Sequence, residues 1–264
     1  MAKVAPIRIG IAGALGRMGQ AVAKVAAERA DLTIAAVFDR PGTEGQDGGG
    51  RRLGSLADIG LCDVVIDFSI PAASVELARA AAALGGPALV IGSTGVSADD
   101  LAALKSASGE AAIVYSGNYS LGVNILAGLV EETARRLPAH DWDVEILEVH
   151  HRRKVDAPSG TALMLGEAAA RGREVGLANA AVKARDGITG PRPEGAIGFS
   201  SMRGGGIVGE HQVVFASEEE ILTLSHSARD RALFARGAVT AALWVRGRPP
   251  GLYDMMDVLG FRDA

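Results

Sequence analysis

The chain has 264 residues, with 27 Lys and Arg against 31 Asp and Glu for a net charge of −4. At roughly 150 residues per domain, that length suits one large or two modest domains. With 48% apolar and 22% charged residues, disorder is excluded for most of the chain, and the lack of a basic surplus argues against nucleic-acid or membrane-surface binding. The single cysteine, Cys62, rules out an intrachain disulfide and a cysteine-cluster metal site and fits a reducing compartment, the cytoplasm by default. Lying in the apolar run 61–68, it reads as a core residue. The opening MAKVAPIRIGIAG lacks the apolar stretch and cleavage site of a signal peptide, and no apolar run approaches the ~18 residues of a membrane helix.

Residues 7–12 form an apolar run closed by glycine, and 20–29 carry Ala21, Val22, Val25 and Ala26 at helical spacing, giving strand, glycine turn, helix. Residues 32–38 make a second strand, ended by Asp39-Arg40-Pro41, and 42–54, glycine-rich and charged, read as loop. Strands at 64–68, 88–91 and 112–115 alternate with helices at 72–84 and 98–106. Such alternation predicts right-handed crossovers and a parallel sheet of five strands. The pattern changes near residue 121. A helix at 123–137, a strand at 142–150 and a helix starting near Ser159 are followed by strands at 197–203, 210–216 and 221–226 with no helix between them, so an α+β region with an antiparallel or mixed sheet is expected. A helix at 229–245 precedes a tail with Pro249-Pro250. The predicted fold class is α/β with an added α+β domain, divided as 1–121, 122–228 and 229–264.

Between the first strand and first helix stands Gly13-Ala14-Leu15-Gly16-Arg17-Met18-Gly19. Glycines there permit a tight turn and let backbone N–H groups approach a pyrophosphate at a helix N-terminus, where the dipole favours negative charge. The spacing is GxxGxxG, and on its own it fits an ordinary βα turn equally well. Asp39, at the end of the second strand and about 20 residues on, stands where an acid accepts hydrogen bonds from the adenine ribose. With strand, turn, helix, strand and acid in order, the region reads as a dinucleotide site. Arg40, beside the acid, is placed to pair with a 2′-phosphate, so both NADH and NADPH are expected. Gly92-Ser93-Thr94-Gly95 and Ser116-Gly117-Asn118-Tyr119 follow the fourth and fifth strands, whose carboxyl ends face ligands in open α/β sheets.

The run Glu148-Val149-His150-His151-Arg152-Arg153-Lys154-Val155-Asp156-Ala157-Pro158-Ser159-Gly160-Thr161-Ala162 sets cations before a helix start. Ser159 is a candidate N-cap, and the N–H groups of Gly160 and Thr161 are placed to bind an anion such as a substrate carboxylate. Histidine exchanges protons near neutrality, and a lysine among cations is shifted toward it. A solvated strand end accounts for the same run. Zinc fits poorly, since adjacent strand histidines face opposite sides and no further ligands are at hand, so no metal is expected. A Ser-His-Asp hydrolase also fits poorly without a nucleophile elbow.

Residues 150–162 resemble the signature of the 4-hydroxy-tetrahydrodipicolinate reductases, also called dihydrodipicolinate reductases, of bacterial lysine and diaminopimelate biosynthesis. The likeness extends through Gly13 to Gly19, Asp39-Arg40, Asp67-Phe68-Ser69, Gly92 to Gly95, Asn118 to Asn124, Ile197-Gly198-Phe199, Arg203, Ile207 to His211 and Phe234 to Ala238. Ser93 replaces a threonine common in the family, and Tyr119 a phenylalanine. The resemblance implies reduction of an unsaturated cyclic imine dicarboxylate by NADPH or NADH, with His150 as general acid/base, Lys154 as proton donor, and His151, Ser159, Gly160 and Thr161 holding substrate. It implies cofactor contacts from Gly13, Ala14, Leu15, Gly16, Arg17, Met18, Asp39, Arg40, Gly92, Ser93, Thr94, Ser116, Gly117, Asn118 and Tyr119. It further implies a Rossmann-type domain to which the last helix returns, a second domain carrying substrate and an intersubunit sheet, and a homotetramer. An amino-acid dehydrogenase on the same fold, disfavoured by the segment 154–161, and a non-catalytic cofactor sensor, disfavoured by His150 and Lys154, are the competing readings.

Overall fold

In the computed structural model, which describes residues 5–40 and 42–262, the first half of the chain alternates strand and helix. Pro41 and the first four residues of the opening segment lie outside the described residues. The order is β1 (Ile7–Ala12), α1 (Arg17–Ala27), β2 (Leu32–Phe38), β3 (Val64–Asp67), α2 (Pro71–Leu84), β4 (Ala88–Ile91), α3 (Ala98–Ala107) and β5 (Ala112–Tyr115). It continues through α4 (Leu121–Arg136), β6 (Asp143–His150), α5 (Gly160–Gly172), α6 (Leu177–Ala180), β7 (Ala181–Val182), β8 (Ile197–Arg203), β9 (Gly209–Ala216) and β10 (Ile221–Ala228). It closes with α7 (Ala232–Val245), β11 (Gly251–Tyr253) and α8 (Met255–Val258). Two compact units result, one from the chain up to Leu121 together with the segment from Ala232 onward, the other from Gly122–Arg231.

The first unit holds a six-stranded sheet in the order β11-β5-β4-β3-β1-β2, parallel at every pairing. Side chains alternate across it, and each set meets a helical layer. Ile9, Ile11, Val64 and Ile66 join Val22 and Val25 of α1 and Ala238 and Val239 of α7. Val65, Leu89, Ile91 and Ile113 join Leu77 and Ala81 of α2 and Leu104 of α3 on the other face. Cys62 lies in this second core, as expected, and burial pushes its thiol up to about 11. The sixth strand, β11, was not legible, because three residues behind two prolines carry no measurable alternation. The first helix starts at Arg17, inside the glycine loop, with Gly16 as its N-cap. The order reverses between β1 and β3, which places a topological switch point at the carboxyl end of β1.

The second unit contains a mixed sheet, β10-β9-β6-β8-β7. Consecutive strands β8 and β9 are not neighbours. β6 is inserted between them, parallel to β8 and antiparallel to β9, so the strand expected at 142–150 is the centre of the sheet. Alternation along β6 sends Val144, Ile146, Glu148 and His150 to one face. Opposite them on β9 stand Phe215 against Val144, Val213 against Ile146 and His211 against Glu148. On β8, Ile197 faces Val144, Phe199 faces Ile146 and Arg203 faces His150. The apolar part of this face packs with Leu126 and Val130 of α4 and Ala162, Leu165 and Ala169 of α5. One face is thus hydrophobic at one end and ionisable at the other.

Because Phe215 is fully buried at the centre of that core, Phe215→Ala removes both transfer energy and filled volume. The expected loss is about 3–5 kcal/mol, read as a shift in the urea transition of the second unit. A loss below about 1 kcal/mol would show that the register placing Phe215 inward is wrong.

Candidate active site

The glycine loop of the first unit is shaped by close approach. A Cβ on Gly19 would stand 2.2 Å from the Gly13 carbonyl oxygen, and Gly13 itself has φ +72, so the first turn of α1 lies directly on the loop. Gly16, as N-cap, provides no side-chain acceptor, which leaves the leading N–H groups of α1 to an external anion. Asp39, at the carboxyl end of β2, accepts from the Leu15 N–H at 2.9 Å and from the Arg40 N–H at 2.9 Å. Its carboxylate therefore clamps the loop, with only the remaining lone pairs left for a ribose. The Arg40 side chain is 86% exposed, its Nε 3.9 Å from Asp39 Oδ1.

At the ends of β4 and β5 the structure separates side chain from backbone. Ser93 is buried, its hydroxyl 2.9 Å from that of Ser74, which in turn lies 2.5 Å from Asp67 Oδ2. Burial pushes the Asp67 carboxyl up, against hydrogen bonds from Ser69 and Ser74. Tyr119 is also buried, its phenol reaching the Ile91 and Val114 carbonyls at 2.9 and 3.0 Å and its ring edge-on to Phe68. Both side chains that depart from the family pattern are engaged in the interior, so their backbones alone are presented to the strand ends. Asn118 is tied down as well, its Oδ1 accepting from the Ser120 N–H at 2.8 Å, while the Ser116 hydroxyl donates to the Asn118 carbonyl at 2.8 Å. Thr94 and Gly117 are exposed and Gly92 is half-buried.

The second unit gathers the histidine segment at the ionisable end of β6. Glu148, 1% exposed, accepts at Oε2 from His150 Nδ1 at 2.5 Å and from Arg203 Nη1 at 2.8 Å. Its Oε1 accepts from Arg203 Nη2 at 2.7 Å and from the Ser159 N–H at 3.2 Å. His211 lies edge-on to His150 with ring centroids 5.0 Å apart and has Nε2 3.1 Å from the Ser159 hydroxyl. Ser159 is the N-cap of α5, its Oγ accepting from the Ala162 N–H at 3.1 Å, and it is buried, so its hydroxyl points inward. His151 donates its N–H to the Ile207 carbonyl at 2.8 Å, while its buried Nδ1 has no partner among the described residues. Lys154 lies 2.8 Å from Asp156, whose carboxylate also accepts from the backbone of the exposed Gly160.

Burial alone would raise the Glu148 carboxyl, but hydrogen bonds from Arg203, Ser201 and His150 outweigh it and hold the group at about 2. Burial lowers His150, with Glu148 opposing that shift and Lys154 and Arg203 adding to it. Burial, with His150 as a lesser cause, pushes His211 down to about 4. Both imidazoles are therefore neutral at pH 7, next to a carboxylate that stays ionised. Among the described residues no group of three metal-ligating side chains occurs. Glu148, Arg203 and His211 are participants that the spacing of the chain did not single out. The Glu-x-His alternation was a usable signal for the first, whereas the other two reach the cluster by strand pairing, Arg203 opposite His150 on β8 and His211 opposite Glu148 on β9.

Two family profiles match the chain, one described as "Dihydrodipicolinate reductase, N-terminus" over residues 7–119 and one as "Dihydrodipicolinate reductase, C-terminus" over 122–259. A 4-hydroxy-tetrahydrodipicolinate reductase from Caulobacter vibrioides is 60% identical over 257 residues, covering 97% of this chain and 98% of the relative. Another from Rhizobium rhizogenes is 52% identical over 268 residues, covering 96% and 97%. The fold is shared with a dipicolinate-bound dihydrodipicolinate reductase from Paenisporosarcina sp. TG-14 at a TM-score of 0.78 and 22% identity, covering 96% of this chain and 98% of that one. With both halves matched and relatives alike from end to end, the chain belongs to the dihydrodipicolinate reductase family.

Proposed function

We propose that the protein reduces 4-hydroxy-tetrahydrodipicolinate, by way of dihydrodipicolinate, to tetrahydrodipicolinate with NADH or NADPH, in lysine and diaminopimelate biosynthesis. The observation that carries this reading is the cluster at the end of β6, where a neutral histidine, a lysine and a helix N-terminus converge. Relatives up to 60% identical along the whole chain bear this activity in their names.

The residues of the first unit fit a dinucleotide. The cradle that a Cβ on Gly19 would fill, the uncapped start of α1 and the Asp39 clamp together suit a pyrophosphate and its ribose. Gly13, Ala14, Leu15, Gly16, Arg17 and Met18 would hold the phosphates, Asp39 and Arg40 the adenosine end, and the backbones at Gly92, Ser93, Thr94, Ser116, Gly117, Asn118 and Tyr119 the remainder. When bound, the reduced nicotinamide supplies the hydride that adds to the ring carbon conjugated with the imine.

In the second unit Gly160 and Thr161 at the head of α5 receive a substrate carboxylate, and Ser159 shapes that turn as its N-cap. His151, with its buried unpartnered Nδ1, faces the same task. Lys154 supplies the proton that completes the product, and His150 moves protons at Nε2, since Nδ1 is engaged by Glu148. Fixed cations and donors stabilise charge developing on the imine nitrogen without reorganisation.

The assembly is a homotetramer joined through the β8–β10 sheet. β10 is an edge strand carrying Ile221 and Leu222 in exposed positions, and exposed edges need cover. No described helix is long and apolar enough to cross a membrane, and the net charge of −4 favours neither a membrane surface nor nucleic acid as partner. The cytoplasm is the place of work.

Coupling the protein to the synthase that condenses pyruvate with aspartate semialdehyde, and following nicotinamide absorbance, tests the activity directly. Lys154→Ala and His150→Gln should slow turnover about 10²- to 10⁴-fold while cofactor affinity is retained. A double variant with wild-type turnover contradicts these roles. Light scattering at micromolar concentration should give about four times the 27.0 kDa chain mass, and a monomer mass contradicts the tetramer. In cofactor titrations Arg40→Ala should weaken NADPH by up to about a hundredfold, a charge-assisted contact reaching about 3 kcal/mol, and leave NADH nearly unchanged. Equal losses would show that Arg40 supports the loop instead.

A further inference from the structure

We infer that Glu148 is a positioning residue that ties the proton-handling ring of His150 to the carboxylate-binding turn at Ser159. The inference rests on the reaction proposed above and assigns a role to a side chain outside the set that handles substrate or cofactor there.

An ionised carboxylate this deeply buried requires compensation. Arg203 already supplies it, forking onto both oxygens at 2.8 and 2.7 Å. Beyond Arg203 and the Ser201 hydroxyl, two further donors come from the two halves of the proposed site. Oε2 takes His150 Nδ1 at 2.5 Å, and Oε1 takes the Ser159 N–H at 3.2 Å. Since a carboxylate only accepts, the proton of neutral His150 is fixed on Nδ1 and Nε2 keeps its lone pair. That nitrogen lies beside Gly209, where a Cβ would come within 3.0 Å of it, so the β9 backbone leaves the working edge of the ring uncrowded.

The circuit closes on its other side through His211. Ser159 Oγ accepts from the Ala162 N–H and lies 3.1 Å from His211 Nε2, within hydrogen-bond reach. His211 then presses edge-on against His150. Moving the Ser159 turn shifts a donor of Glu148 and the partner of His211 together, and both touch His150. A carboxylate settling on the head of α5 is thereby felt at the proton-handling ring.

The charged and titratable groups facing His150 are Glu148 on β6, Arg203 on β8, His211 on β9 and Lys154 on the loop after β6. Of these only Glu148 favours the imidazolium. Removing its charge must lower the His150 titration, whereas a merely structural loss would leave the midpoint in place.

The test uses the full-length protein and its Glu148→Gln and Glu148→Asp variants. In wild type, nitrogen-15 NMR should show neutral His150 protonated on Nδ1; the Nε2–H tautomer overturns the inference without any variant. In Glu148→Gln the His150 midpoint should fall by about 1–3 pH units, the limb of the pH profile that His150→Gln abolishes should move with it, and kcat should drop about 10²-fold. A folded Glu148→Gln protein with the His150 midpoint of wild type overturns the inference. Should that variant fail to fold, Glu148→Asp decides: keeping the charge on a shorter arm, it should retain the midpoint but raise the substrate KM, and a wild-type KM overturns the link to Ser159. If no reduction of the imine is seen at all, the proposed reaction fails, while the tautomer and midpoint still judge the geometry.

Discussion

The buried Glu148 carboxylate is the constraint on which the second unit turns. It is satisfied from a strand neighbour, from the adjacent strand β8 and from the turn that starts α5, with donors from His150, Arg203 and Ser159. A buried charge left without one of these partners is far more costly than an exposed ion pair lost at the surface. The sheet register and the position of the α5 N-terminus are therefore locked to the same two oxygen atoms. The chemical consequence is a ring with a defined tautomer beside a helix end of defined place, both set before any ligand arrives.

The first unit solves its problem with backbone instead of buried charge. Gly13 and Gly19 let α1 begin on top of β1, and Asp39 reaches across from the neighbouring strand to hold the Leu15 N–H. The nearby Asp67, Ser74 and Ser93 form an interior polar chain under the turn after β4, and Tyr119 closes the ends of β4 and β5 with its phenol. Side chains that would be polar handles in a loop are thus spent on shaping the carboxyl ends of the strands. What these strand ends present outward is mainly backbone, with the Arg40 side chain exposed beside Asp39.

Much of this was legible in the amino-acid sequence. The glycine loop, the alternation of strands and helices up to residue 115, the buried state of Cys62 and the cap at Ser159 all come from local spacing, because turn geometry and side-chain periodicity act over a few residues. The resemblance at residues 150–162 led to the family and the reaction. The tertiary structure alone decided that β6 enters between β8 and β9, that β11 extends the first sheet, and that Ser93 and Tyr119 turn inward. It alone brought Arg203 and His211 to Glu148 and showed that Asp39 is first a clamp for its own loop. Strand pairing across more than fifty residues, and the need of a buried carboxylate for donors wherever the fold can supply them, leave no periodic trace in the chain.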